Sequence, residues 1–550
     1  MIATAAGSIA RLLPHRSDYA GLSRSWRRDI LAGVTVGVVA LPLALAFGIS
    51  SGVGAAAGLI TAVIAGLVAA VFGGSHVQVS GPTGAMAVVL APIVALHGIG
   101  SVALVTVLAG VVVLTAGISG LGRAVTFIPW PVIEGFTLGI AAIIFLQQVP
   151  AAFGTTSPAG QRTLVAAWNV VAHAEWGSAW RTLAVVAFVA VLMLGLPLVH
   201  RSIPESLTAV VAATVIVVAF HIPVASIGAL PSHLPAPVMP HADLGSARTL
   251  LGAALAIAAL AAIESLLSAR VAATMSPTGP YDPDRELVGQ GLASVASGLF
   301  GGMPATGAIA RTAVNVRSGA RTRVSAIVHS VLLLGIVYLA TGPVAAIPLS
   351  ALAGVLMVTS FRMISVTTVR KILRSTRSDA ATFVLTAFVT IGFDLIEAVE
   401  IGLLFAAFFA LRTVARRSSV VREELPGPSQ PGDERIALLR LDGAMFFGAA
   451  ERISGAITDA ERPEVTVVII RMSQLGMLDA TGAHTLAEIA EELESRGITV
   501  IIKGVRPEHM TLLENMGIVD ALRHENHLID SFDEAIAHAR SHVAHAANPG

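Results

Sequence analysis

The chain has 550 residues, 55% of them hydrophobic and 13% charged, with a mean hydropathy of +0.79 and a formal net charge of zero. Soluble globular proteins are about 25% charged, so the composition excludes a soluble protein and points to an integral membrane one. The chain has no cysteine, which removes disulfides, thiol chemistry and cysteine-ligated metals, and nothing in its charge balance calls for a nucleic-acid partner.

In chain order, residues 1–29 read as a cytosolic N-terminal segment with Arg24, Arg27 and Arg28 just ahead of the first span and no signal-peptide pattern. From 30 to 415 apolar stretches alternate with short polar breaks, giving about fourteen expected spans. The early ones fall near 30–50, 55–72, 83–97, 101–119, 127–147, 181–199 and 205–221, the later ones near 249–270, 289–300, 306–316, 323–341, 345–361, 380–393 and 396–414. Several are too short to cross a bilayer alone, as broken helices would be. Charge placement supports the count, because positive residues favour cytoplasmic loops. The loops after even-numbered spans hold Arg123, then Arg201, then Arg270 and Arg285, then Arg317, Arg321 and Arg323, then Arg362, Arg370, Lys371, Arg374 and Arg377. The long loop after the seventh span has neither Lys nor Arg. Both termini are therefore expected inside. The halves 30–221 and 249–414 then hold seven spans each, and an odd number per half makes them an inverted repeat.

Two stretches break the apolar pattern at the third span of each half. The first is Val79-Ser80-Gly81-Pro82-Thr83-Gly84; the second runs from Gly301 through Met303-Pro304-Ala305-Thr306-Gly307 to Arg311. Irregular backbone at membrane depth survives only where it is buried in protein or lines a wet cavity. A helix restarting there turns its unpaired N–H groups and positive dipole end toward that cavity. Paired Gly/Pro interruptions in the two halves are the best sequence pointer to a transporter site. The blander reading of either break alone is a tight turn between short helices.

Residues 416–432 read as a linker rich in Pro and Gly. The remainder, 433–545, alternates strand-type runs at 436–441, 465–470 and 498–502 with helical patterns at 449–460, 480–496, 507–516 and 531–542, the mark of a small α/β domain.

With these segments in view the chain resembles a bacterial member of the SulP family of anion permeases, related to animal sulfate and chloride exchangers and to prestin. The resemblance is carried by Asp29-Ile30-Leu31-Ala32-Gly33, Leu41-Pro42, Ala46-Phe47, Val79-Ser80-Gly81-Pro82-Thr83, Glu264-Ser265-Leu266-Leu267-Ser268 and Met303 through Asn315. The C-terminal part resembles the STAS domain of anti-sigma-factor antagonists through Leu478-Asp479-Ala480-Thr481-Gly482. The fold implied is an α-helical polytopic membrane protein, a 7+7 inverted repeat divided into core and gate domains, with a small cytosolic α/β STAS domain. The resemblance also implies a homodimer in the bacterial inner membrane and elevator-like alternating access. The anion would be held between the N-termini of the third and tenth helices near Phe47, by Ser80, Gly81, Thr83, Gly84, Ala305, Thr306, Gly307 and Arg311.

Glu264 is the sharpest single residue, because a carboxylate within an otherwise apolar span costs a few kcal/mol or more and is functional by default. It is a candidate proton carrier, or a ligand for Na⁺ as the coupling ion, with Ser268 one turn on as a further oxygen. A structural tie to the broken helices is the alternative. For Arg311 the alternative is a topology-setting charge like Arg317 and Arg321. Glu134 is expected to bond across helices, Gln147 and Gln148 to lie at the membrane surface, and Glu397 and Glu400 to be structural. Several bacterial relatives carry a carboxylate after Pro42; Leu43 stands here, which shifts any coupling onto Glu264. Thr481 matches the hydroxyl phosphorylated in anti-sigma antagonists, although capping of its helix with Asp479 is the favoured reading.

The expected function is secondary active transport of a small inorganic or organic anion (sulfate, bicarbonate or a C4-dicarboxylate), coupled to H⁺ or Na⁺. No cofactor is expected beyond such an ion, and the STAS domain could meet a cytosolic protein or nucleotide. The rivals are an exchanger or channel, a permease for uncharged substrates, and a membrane sensor signalling through the STAS domain. No nucleophile–base pair or metal-ligand set speaks for an enzyme.

Overall fold

A computed structural model describes residues 12–123, 129–155, 161–200, 204–231, 233–240, 244–392, 418–446, 464–522, 524 and 527–547, with scattered positions between 401 and 415. The chain divides into two compact units, Met1–Leu403 and Leu404–Gly550.

The first unit is helical. Its first half runs α1 (Leu22–Ser50), α2 (Ala55–Phe72), β1 (Ser80–Gly81), α3 (Gly84–His97), α4 (Ser101–Ile118), α5 (Trp130–Ala152), α6 (Thr163–Ala172), α7 (Trp176–Val199) and α8 (Glu205–Ala219). Its second half runs α9 (Leu244–Met275), α10 (Pro283–Leu299), β2 (Thr306–Gly307), α11 (Ile309–Arg317), α12 (Val324–Leu339), α13 (Thr341–Ala345), α14 (Leu349–Met363), α15 (Val366–Leu373) and α16 (Arg377–Gly392). Every expected span up to 380–393 falls on a helix, whereas 396–414 lies largely outside the described residues. Seven described helices are long and apolar enough to cross a membrane. The others are shorter, as interrupted spans must be. One expected span starts too early: 306–307 is not helix but the strand β2. The loop after α5 carries an additional short helix, α6.

Helices α4 and α10 meet backbone to backbone. A Cβ on Gly291 of α10 would lie 2.5 Å from the Leu114 nitrogen, and one on Gly110 of α4 would lie 2.7 Å from the Val295 nitrogen. Small residues allow such close approach where there is no hydrophobic drive between helices in lipid. Gly291→Leu is therefore expected to cost about 3 kcal/mol or more; the check is loss of the monodisperse peak in detergent size-exclusion chromatography. Helix α10 also packs on α2, and α12 on α1, while α5 packs against α14 and α16, and α14 against α7.

The segment before α1 is tied down by charge. Asp18, in the 3₁₀ turn Arg16–Tyr19, receives two hydrogen bonds from Arg285, at 2.9 and 2.6 Å, and Arg323 stands 3.6 Å away. Arg323 in turn donates to the Gly73 carbonyl at 2.5 Å, at the C-terminal end of α2, where a cation also meets the helix dipole favourably. Two arginines that look like loop charges in the sequence are thus buried structural groups. Burial pushes the Asp18 carboxyl up, but hydrogen bonds from Arg285 and the His15 N–H and the nearby arginine charges outweigh it and bring the pKa from 3.8 to about 2. Because the folded value is the lower one, this contribution is present above about pH 4 and is lost as pH falls toward 2. Asp18→Asn leaves two buried guanidinium groups without their anion and is expected to lower stability by about 3 kcal/mol, read as a reduced thermal midpoint in detergent at pH 7. The difference from wild type should shrink at pH 3.

The second unit is an α/β domain. Strands β3 (Ser419–Glu423), β4 (Ile436–Met445), β5 (Val467–Arg471), β6 (Leu475–Leu478), β7 (Thr499–Lys503) and β8 (Leu528–Ile529) form one sheet, with helices α17 (Ala480–Ser495), α18 (Pro507–Asn515), α19 (Ile518–Ala521) and α20 (Phe532–Ala547). The order is β3-β4-β5-β7-β8, with β6 on the continuation of β4; β3 is antiparallel to β4 and the remaining pairs are parallel. Apolar side chains alternate to both faces. One face, with Leu439, Val468 and Val500, packs against α17; the other, with Leu438, Ile469 and Ile501, packs against α20. The three expected strand runs are β4, β5 and β7. The expected helix at 449–460 lies outside the described residues.

Candidate functional site

The two breaks come together. Ser80 pairs with Gly307 and Gly81 with Thr306 in a short antiparallel ladder, one strand from each half of the chain. The Ala308 N–H adds a bond to the Val79 carbonyl at 2.9 Å, and the Thr312 hydroxyl accepts from the Val79 N–H at 3.0 Å. The backbone just before β2 has no helix to satisfy it, so hydroxyls do so. The Met303 N–H donates to Thr61 of α2 at 2.8 Å, and Ser297 of α10 donates to the Met303 carbonyl at 2.7 Å. Gly307 packs tightly against Gln78: a Cβ there would sit 1.6 Å from its Nε2, so the Gln78 side chain would have to move.

From this ladder α3 and α11 restart. Thr83 caps α3 and accepts from the Met86 N–H at 3.5 Å. Its hydroxyl also donates to Glu264 Oε2 on α9 at 2.9 Å, and Thr306 of β2 reaches the same carboxylate. The carboxylate is thereby tied to both breaks. Arg311 of α11 is 3% exposed. Its Nη2 donates to the Pro82 carbonyl in the other half, while its Nη1, over Gly81, has no hydrogen-bond partner among the described residues. Arg311 is thus packed against the first break and not exposed in a loop. Phe47 of α1 is buried and lies beside Gly84, where an added Cβ would be 3.2 Å from its ring. Leu43, one turn before Phe47, is buried in the apolar core. Ala305 is fully buried, within hydrogen-bonding range of Ser294 through its backbone.

Other predicted residues are used differently. Ser268 faces Thr312 at 3.2 Å; its neighbour Ser265 is the hydroxyl that meets β2, accepting from the Gly307 N–H at 3.1 Å. The Ser80 hydroxyl accepts from Gln290 at 2.6 Å. Glu134 accepts from Trp130 of its own helix at 3.0 Å, and among the described residues it makes no hydrogen bond across helices. Gln148 is buried within the protein on α5. Glu397 and Glu400 lie outside the described residues. In the second unit Asp479 caps α17, accepting from the Gly482 N–H at 2.8 Å, and Thr481 is exposed in the first turn.

Several polar residues escape the sequence reading. Glu286 of α10 is buried and accepts from the Gly74 and Ser75 N–H groups at 2.8 and 3.0 Å and from Gln290 at 2.9 Å. Asp29 of α1 accepts from the Arg321 and Thr322 N–H groups at 2.6 and 3.0 Å, fastening the turn after α11. His329 of α12 is fully buried, with neither ring nitrogen partnered among the described residues, in electrostatic range of Arg311. A lone histidine inside an apolar span was the available signal. Three histidines of the second unit, His527, His538 and His542, also converge, although no metal ligands are expected from the sequence.

Comparison with known proteins matches residues 26–386 to the sulfate permease family and residues 428–535 to the STAS domain. A candidate sulfate transporter of Bacillus subtilis, YvdB, is 33% identical over 93% of this chain and 97% of its own length. The bicarbonate transporter BicA of Synechocystis is 31% identical over 94% of each chain. Among solved structures, murine Slc26a9, an anion transporter in the inward-facing state, superposes with a TM-score of 0.84 at 17% identity, over 97% of this chain and 94% of that one. The transmembrane domain of a cyanobacterial BicA, 32% identical, gives a TM-score of 0.61 over 70% of this chain and 97% of that one.

Proposed function

Because the chain belongs to the sulfate permease family and carries a C-terminal STAS domain, we propose that it is a secondary active transporter of a small anion such as sulfate, bicarbonate or a C4-dicarboxylate. The observation that carries this reading is Arg311, a buried guanidinium held between the two helix restarts with one nitrogen unpartnered among the described residues. Buried donors are almost always paired, and an anion placed over Gly81 would pair this one while meeting the N-terminus of α3. Glu264 serves as the coupling group. It shares hydroxyl contacts with both breaks, so a proton or a Na⁺ ion on the carboxylate changes the charge the anion meets. Carboxylate and hydroxyl oxygens suit a hard cation, and a carboxylate at this depth equally suits a proton.

Alternating access would carry the ladder, α3 and α11 across as one body against α5, α7, α14 and α16, in a homodimer of the inner membrane with both termini cytoplasmic. The names of the relatives support sulfate and bicarbonate as the first anions to test. The test is uptake by proteoliposomes holding the purified protein, with labelled sulfate, bicarbonate and fumarate offered under an inward H⁺ or Na⁺ gradient. Concentrative uptake of one anion under one gradient is expected. Uptake indifferent to both gradients would make the protein an exchanger or a channel. No uptake of any small anion would leave the sensor reading in its place.

A further inference from the structure

The second unit holds a cluster of imidazoles that the transport reading does not use. His538 and His542 stand four residues apart on α20, so they share one helix face. His527 precedes β8 and is 1% exposed. One nitrogen from each of the three rings can be chosen so that all lie within 4.8 Å of one another. Nε2 of His538 and Nε2 of His542 are 3.3 Å apart. Two imidazole nitrogens bound at about 2.05 Å to a tetrahedral Zn²⁺ stand roughly 3.3 Å apart, so this pair already has the separation a shared ion requires. The Glu494 carboxylate lies 4.0 Å from His527 Nδ1. A carboxylate behind a ligating histidine orients the ring and raises its basicity. Arg540, on the same helix, is engaged by Asp433 at 2.8 and 2.9 Å and does not oppose a cation at the cluster.

A stack of neutral rings would also account for the packing, since the His527–His538, His527–His542 and His538–His542 centroids are 5.4, 5.3 and 4.8 Å apart in edge-on arrangements. An N–H···N hydrogen bond between His538 and His542 would also give the 3.3 Å separation, but it does not engage His527, whose nitrogen also lies within 4.8 Å of both others. We infer that His527, His538 and His542 form a binding site for a borderline divalent cation of the Zn²⁺ type, with a fourth position open to water. Imidazole donors favour Zn²⁺, Cu²⁺ or Ni²⁺ over Mg²⁺ or Ca²⁺. The ion would join α20 to His527 just before β8.

The test uses full-length protein without a histidine tag, purified in detergent and stripped with chelator. Zn²⁺ alone is titrated by calorimetry and bound metal is counted after dialysis; Co²⁺ alone is followed by its visible absorption. One ion per chain is expected, with a tetrahedral Co²⁺ spectrum. His542→Gln and His538→Gln should each weaken Zn²⁺ binding about 100-fold or more, and Glu494→Gln about 10-fold. His538 and His542 are partly exposed, so both variants should keep the wild-type circular dichroism. Absence of binding in the wild type, or equal binding by the folded His538→Gln/His542→Gln double variant, would overturn the site.

Discussion

Glu264→Gln protein is expected to take up anion down its own gradient and to ignore the H⁺ or Na⁺ gradient that drives the wild type. The substitution is nearly isosteric, and the amide oxygen can still accept from Thr83, which donates to the carboxylate at 2.9 Å. The tie between α9 and the first break therefore survives, and what disappears is the titratable, cation-binding charge. Coupling requires that co-ion and anion favour the same state, and with no site for the co-ion the gradient has nothing to act on. If the driving ion is Na⁺, losing one charged oxygen ligand removes about 1.5–3 kcal/mol, or about 10–100-fold in apparent Na⁺ affinity. Gradient-driven accumulation in the variant at the wild-type level would remove Glu264 from the coupling role.

Arg311→Gln should abolish saturable uptake at concentrations that saturate the wild type, through a KM raised about 100-fold or more. Two effects combine. The anion loses a charge-assisted partner worth about 1.5–3 kcal/mol per hydrogen bond, and Glu264 loses the cation within its electrostatic range. Breaking a buried charge arrangement by removing one member is strongly destabilising, at about 3–5 kcal/mol, so the single variant is read beside Glu264→Gln/Arg311→Gln. The double variant should recover thermal stability in detergent but not transport. Arg311→Lys keeps the charge but not the planar fork that reaches Pro82 while leaving Nη1 over Gly81, and should recover only part of the affinity. An unchanged KM in folded Arg311→Gln protein would place the anion elsewhere.

The helices and both breaks could be read from the chain because apolar runs, Gly-Pro pairs and an isolated carboxylate act over short stretches. What the chain could not show is how distant stretches meet. Residues 306–307 read as the start of a span, and only their pairing with Ser80 and Gly81 makes them strand. Ser268 lies one turn beyond Glu264, but the hydroxyl that pairs with the β2 backbone is that of Ser265, between them in the chain. Arg285 and Arg323 satisfied a rule about loop charges while being buried against Asp18. In the second unit, the His-x10-His-x3-His spacing of His527, His538 and His542 was visible, but it spans the short strand β8, whose placement brings the first ring back to the helix.

The ladder between Ser80-Gly81 and Thr306-Gly307 has a consequence for how the protein can be divided. Each strand is two residues long and can find its partner only in the other half, so a fragment ending in the loop after α8 would contain α3 but half a ladder, no Arg311 and no Glu264. Neither fragment alone owns a site. Co-expressed fragments would regain one only by reassembling head to tail across the bilayer. A half-length forerunner of this chain would have faced the same requirement, needing a second copy inserted the opposite way up before it could hold anything at all.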